Sequence, residues 1–124
     1  MTEQASNIEK ILHDLNLRSN QIEASSVVTR DGITVASALE PGVDPDRVSA
    51  MCASLLGLAD TAANELDRGW LKLVLLQGEY GVLLLVQAGP DHVLAVSATS
   101  DIRLGTVLVE AKQTASRILE NLKG

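Results

Sequence analysis

Side chains able to do chemistry are few in this chain, and they are scattered. The two histidines, His13 and His92, lie far from each other and from the single cysteine, Cys52, so the spacing of a tetrahedral zinc site is missing. His13 falls on the polar side of a helical pattern and His92 at a turn, and both read as surface residues. A Cys–His nucleophile pair would require Cys52 to leave the apolar stripe it belongs to, so a small buried thiol is expected. Neither a G-x-x-x-x-G-K-[S/T] loop nor a G-x-G-x-x-G turn occurs. The glycines of Gly78-Glu79-Tyr80-Gly81 and of Gly89-Pro90 read as turns. No catalytic, metal-binding or cofactor-binding residue is assigned. The chain is expected not to be an enzyme, to need no cofactor and to bind no nucleotide by itself.

Charge offers two weaker signals. Glu40, Asp44 and Asp46 cluster before a helical segment, where acids complement the helix dipole; alternatively they form an acidic rim that meets a basic partner. Arg30 at a hairpin tip and Arg68 at a helix end have the reach of arginine fingers on a bound GTPase, although surface arginines commonly do nothing of the kind. Net charge is −6. Residues 1–62 hold nine acids against four bases, a balance of −5, and residues 63–124 hold seven against six, a balance of −1. An acidic chain whose aromatics are Trp70 and Tyr80 lacks the cationic footprint and stacking platforms of nucleic-acid binders. Nucleic acid is excluded as an expected partner.

A chain of 124 residues is expected to form one domain, 1–124, burying roughly two-thirds of its unfolded surface. With 46% hydrophobic and 21% charged residues it reads as globular. No apolar run approaches a membrane span of ~18 residues, and the start MTEQASNIEK has no signal-peptide pattern. A cytoplasmic location without membrane insertion is the expectation.

The elements that must position these residues follow from periodicity. Ser6-x-x-Glu9 can form a capping box before Ile8, Ile11, Leu12 and Leu15, giving a helix from about Ser6 to Arg18. Ser25–Thr29 and Ile33–Ala38 read as strands around Arg30-Asp31-Gly32, because Asp-Gly supplies the positive φ of a tight turn. The second strand is only moderately apolar and suits a sheet edge. Asp44-Pro45 opens a long helix to Arg68, apolar at Val48, Met51, Cys52, Leu55, Leu56, Leu58, Ala59, Ala62, Ala63 and Leu66. Its opposite face is small rather than charged: Ala50, Ala53, Ser54, Gly57 and Thr61. A mid-helix glycine costs ~1 kcal/mol relative to alanine, which makes sense where another backbone comes close. This helix is expected to be covered by its own sheet on one side and by a second chain on the other; a core helix of a monomer is the alternative. Trp70–Gln77, Tyr80–Ala88 and His92–Ala98 read as three further strands, and the unbroken run Val82–Val86 as sheet covered on both faces. A last helix, capped by Asp101, carries Leu104, Val107, Leu108, Ala111, Ala115, Ile118, Leu119 and Leu122. The expected fold is α+β, an αββαβββα sandwich: a five-stranded antiparallel sheet with one helix on one face and two on the other.

Val27–Ala36 (VVTRDGITVA), the long central helix, the Gly–Pro turn before Val93–Val96 and Asp101–Gly105 together resemble the Roadblock / dynein light-chain family, from about Ile8 to Leu122. The resemblance implies homodimers formed through the central helix and the second strand, here Ile33, Val35, Ala50, Ala53, Ser54, Gly57 and Thr61. It implies regulatory or scaffolding proteins without chemistry of their own, and bacterial members of the MglB type accompany small Ras-like GTPases as activating partners. No long extension is expected at either end. Three readings stay open: a GTPase co-regulator, a structural adaptor like a motor light chain, and a small enzyme or ligand sensor, the last disfavoured by the missing motifs.

Overall fold

Five segments, the central ones buried on both faces, build one antiparallel sheet, and the helices between them supply its two covers. The computed structural model describes residues 2–123. Elements run α1 Glu3–Leu17, β1 Ile22–Thr29, β2 Thr34–Ala38, α2 Pro45–Glu65, β3 Leu73–Gln77, β4 Gly81–Gln87, β5 His92–Thr99 and α3 Leu104–Lys123. The order of strands across the sheet is β2-β1-β5-β4-β3, so β2 is an edge strand, as its composition suggests, and β3 is the other edge.

Period two sorts the side chains between layers. Val27, Leu84, Leu94 and Val96 point to α1 and α3, where they pack with Ile8, Leu12, Leu15 and Ile118. Val28, Leu85, Val93 and Ala95 point the other way and meet Cys52 and Leu56 of α2. The αββαβββα sandwich expected from the sequence is therefore the observed one. Burying each large aliphatic chain contributes about 1.5–3 kcal/mol, and the deeper layer lies under α1 and α3. Polar groups in this interior are paired: Ser25 Oγ donates to Asn16 Oδ1 at 2.8 Å, and Asn16 Nδ2 to the Ala38 carbonyl at 3.0 Å.

Several boundaries differ from expectation for local physical reasons. Helix α1 starts earlier than Ser6, because Thr2 is its cap and its hydroxyl accepts from the Ala5 N–H at 3.0 Å. Strand β2 starts at Thr34, leaving Ile33 in the turn closed by Gly32 at φ +96°. Val28 pairs with Thr34 while Val27 pairs with Ala36, so Val35 is the extra residue of a bulge. Helix α2 stops short of Arg68 because Asp67 adopts φ 52° and the Arg68 N–H turns back to the Ala63 carbonyl. Trp70 precedes β3 rather than starting it. Asp101 does not cap α3: its carboxylate accepts from the Thr99 hydroxyl, which, with its own backbone N–H, holds its pKa below the usual range.

Asp44 does cap α2, accepting from the Asp46 N–H at 3.0 Å. Asp44→Ala should cost about 1 kcal/mol through loss of that cap, read as a lower urea midpoint with unchanged m-value. An unchanged midpoint would show that the cap contributes nothing.

Candidate interaction surface

Helix α2 lies on the sheet by a narrow buried line, Ser49, Cys52 and Leu56. Everything else on it is half-buried or exposed, in two flanking strips. One strip is the small face. Ala50, Ser54, Gly57 and Thr61 are exposed there, and Ala53 is half-buried. A Cβ built on Gly57 meets nothing within 4 Å, so no contact within the chain requires glycine there. Ala53 and Ala50 instead sit against the hairpin tip, with a Cβ on Gly32 only 3.4 Å from that of Ala53. The tip thus comes beside the small face, with Ile33 62% exposed. Val35 is separated from this group; the bulge turns it onto the core under α1 and α3.

The second strip belongs to the apolar stripe itself, which is wider than a single covering sheet requires: Met51, Leu58 and Leu66 are 58%, 72% and 65% exposed. The helical period assigns a direction to a side chain but does not say how wide its cover is. At the free edge β3, exposed Leu76 lies on the α2 side of the sheet and exposed Leu75 on the other. At the N-terminal half of α2 the helix stands off the sheet, leaving an apolar cavity of about 420 Å³ between Val43, Val48, Met51 and Cys52 above and Leu83 and Ala24 below. Burial pushes the Cys52 thiol pKa up, against thiolate formation and nucleophilic use.

Of the acidic residues, Glu40, Asp44 and Asp46 are all exposed. Asp44 is committed to its cap, Asp46 accepts from the Thr34 hydroxyl at 3.2 Å, and Glu40 sits at the rim of the cavity. His13 is exposed on α1, 3.9 Å from Glu9. His92 opens β5, half-buried, rather than standing in a turn.

Arg30 departs most from its expected role. Its guanidinium donates to Gln87 Oε1 at 2.7 Å and to Asp60 Oδ2 at 2.5 Å, and lies 5.9 Å from the ring centre of Trp70. It ties the hairpin to α2, β4 and the loop before β3, and is not held out as a finger. Arg68 is exposed and donates to the Leu66 carbonyl. Arg30→Ala removes two charge-assisted bonds at a partly exposed site, where side-chain exposure of 27% and 33% for the pair tempers the loss. About 1–2 kcal/mol of stability should go with it, measured by urea unfolding. No loss would mean that the clamp is idle.

A helix-flanked antiparallel sheet in this order, with one long helix left open to solvent along its outer face, defines a Roadblock-type sandwich. The Roadblock/LC7 domain profile matches residues 8–98, and the chain belongs to that family. Two uncharacterized proteins of Methanocaldococcus jannaschii are each 34% identical to it over 111 residues, covering 90% of this chain and 96% of theirs. In fold it is similar to Myxococcus xanthus MglB, with a TM-score of 0.89 at 17% identity, covering 99% of this chain and 92% of that one. It is similar too to a Roadblock/LC7 domain from Streptomyces avermitilis, with a TM-score of 0.87 at 18% identity, covering 94% and 98%. Among the described residues no helix is long and apolar enough to cross a membrane.

Proposed function

We propose that this chain, a single Roadblock domain over residues 1–124, is a non-catalytic, cytoplasmic homodimer that binds a small Ras-like GTPase and acts as its activating co-regulator. The observation that carries this is the open outer face of α2. A Cβ placed on Gly57 would meet nothing of its own chain, and Leu58 and Met51 lie exposed beside it. A monomer has no use for either feature. A second copy covering that face from Ala50 and Ala53 through Ser54, Gly57 and Thr61 to Leu58 and Met51 accounts for both. Ile33 at the hairpin tip extends the same face, and Val35 contributes strand geometry rather than a contacting side chain. Two free edges, β2 and β3, can continue one copy's sheet into the other's. The family resemblance supplies the GTPase, and the exposed acids Glu40, Asp44 and Asp46 form the rim that would meet it. The test is light scattering of the protein followed by passage of a GTPase from the same genome, loaded with GTP or GDP, over the immobilised protein. A dimer with preference for the GTP state supports the reading; binding without preference demotes it to an adaptor.

A further inference from the structure

Both aromatic residues of this chain, Trp70 and Tyr80, are on the surface, and Trp70 is 65% exposed. It is nonetheless held in place. The Arg30 guanidinium lies 5.9 Å from the centre of the indole ring, Asp60 and Gln87 fix Arg30, and Gln87 Nε2 donates to the carbonyl of the adjacent Leu71 at 2.7 Å. An exposed indole that is already ordered loses little freedom on binding, which is what makes tryptophan an effective anchor at interfaces. Beside it runs a groove of about 450 Å³ between Trp70, Lys72, Pro90 and Lys112, floored by Val86. Past Gly89 and Lys112 it continues as a further 220 Å³ alongside α3, reaching Ser116. The groove lies toward α3, apart from the outer face of α2.

Its charge is unlike that of the rest of the molecule. The chain carries −6, yet none of the groove's lining residues is acidic. Lys72 and Lys112 are exposed, and neither takes part in an ion pair among the described residues. A preordered indole, an apolar floor and two uncompensated ammonium groups select an occupant with an apolar anchor flanked by carboxylates.

We propose that the Trp70–Lys72–Lys112 groove is a docking site for a short acidic segment of a partner protein, separate from the α2 face and independent of whether that face binds a GTPase. The segment's apolar side chain lies against Trp70 and Val86, and its carboxylates face Lys72 and Lys112. Such charge pairs at a rim act chiefly on the rate of encounter and weaken as salt rises.

Because Trp70 is the only tryptophan, its emission reports on the groove directly. The probe is a capped peptide, Glu-Glu-Leu-Glu-Glu-Leu, with Gln-Gln-Leu-Gln-Gln-Leu as its neutral twin. The acidic peptide should shift the emission saturably and the neutral one at least ten-fold more weakly. The double variant K72E/K112E should lose about ten-fold in affinity while keeping its circular dichroism spectrum and its mass by light scattering. If that variant misfolds, K72Q/K112Q takes its place in the same comparison. Equal response to the two peptides, or undiminished binding by the charge variant, would overturn the proposal. So would an equally strong response to inorganic triphosphate, which would make this a simple anion site. Growth in mass of the parent alone, abolished in the charge variant, would overturn it in favour of another copy's acidic run as the occupant.

Discussion

Gly57→Arg should leave the fold intact and take the dimer apart. The two effects have opposite signs, which is what makes the substitution informative. Within one copy a side chain at residue 57 enters open space, and arginine is a better helix former than glycine by roughly 1 kcal/mol. A monomer carrying it should be as stable as the parent chain or slightly more so. Across the proposed interface, by contrast, a long cation would be forced between close backbones. Overpacking there costs about 1–3 kcal/mol, and an unpaired charge adds to it. A two-fold interface presents each change twice. Leu58→Glu probes the other strip of the same face: burying a leucine contributes about 1.5–3 kcal/mol, so two copies lose roughly 3–6 kcal/mol, on the order of a hundred-fold to ten-thousand-fold in Kd. Light scattering at tens of micromolar should show dimeric parent and monomeric variants, all with native circular dichroism. A monomeric parent, or variants that remain dimers, would remove α2 from the interface.

How far the fold was legible follows from where its causes lie along the chain. Helix α3 and the hairpin turn were readable because their signals are local: a strong 3.6-residue period, and Asp31-Gly32 with Gly32 at φ +96°. The end of α2 was misread because Asp67 takes a left-handed conformation at φ 52° that no glycine announces. The bulge at Val35 depends on how β2 pairs with β1, which period two within one strand does not record. The Arg30 clamp joins residues 30 and 57 positions apart, so nothing local to a hairpin-tip arginine indicates that it is tied down. The small face of α2 was visible as a composition anomaly. The breadth of its apolar stripe was visible too, but not that Met51, Leu58 and Leu66 are the part left uncovered, because apolarity at helical spacing looks the same whether a chain's own sheet or a second chain provides the cover.

A small GTPase from the same genome should bind the dimer more tightly when loaded with GTP than with GDP, by a factor within the usual range of coupling, about 5–150-fold. A specific interface needs roughly 800 Å² from each partner. Two copies joined along α2 offer a broader continuous surface than one, so Gly57→Arg and Leu58→Glu should lose GTPase binding along with dimerisation. The exposed Glu40 sits at the edge of this surface and takes no part in the cap that occupies Asp44. Glu40→Lys should therefore slow association several-fold without altering stability, and raising salt should slow the parent in the same way. Dissociation should change much less. Any acceleration of GTP hydrolysis is expected to come from ordering the GTPase's own switch residues, because Arg30 is already bound to Asp60 and Gln87. Arg30→Ala should then lower stability while leaving the acceleration largely in place, whereas loss of acceleration in a folded Arg30→Ala dimer would make Arg30 a finger after all. Equal affinity for the two nucleotide states would leave an adaptor, and failure to bind any GTPase of the genome would end the co-regulator reading.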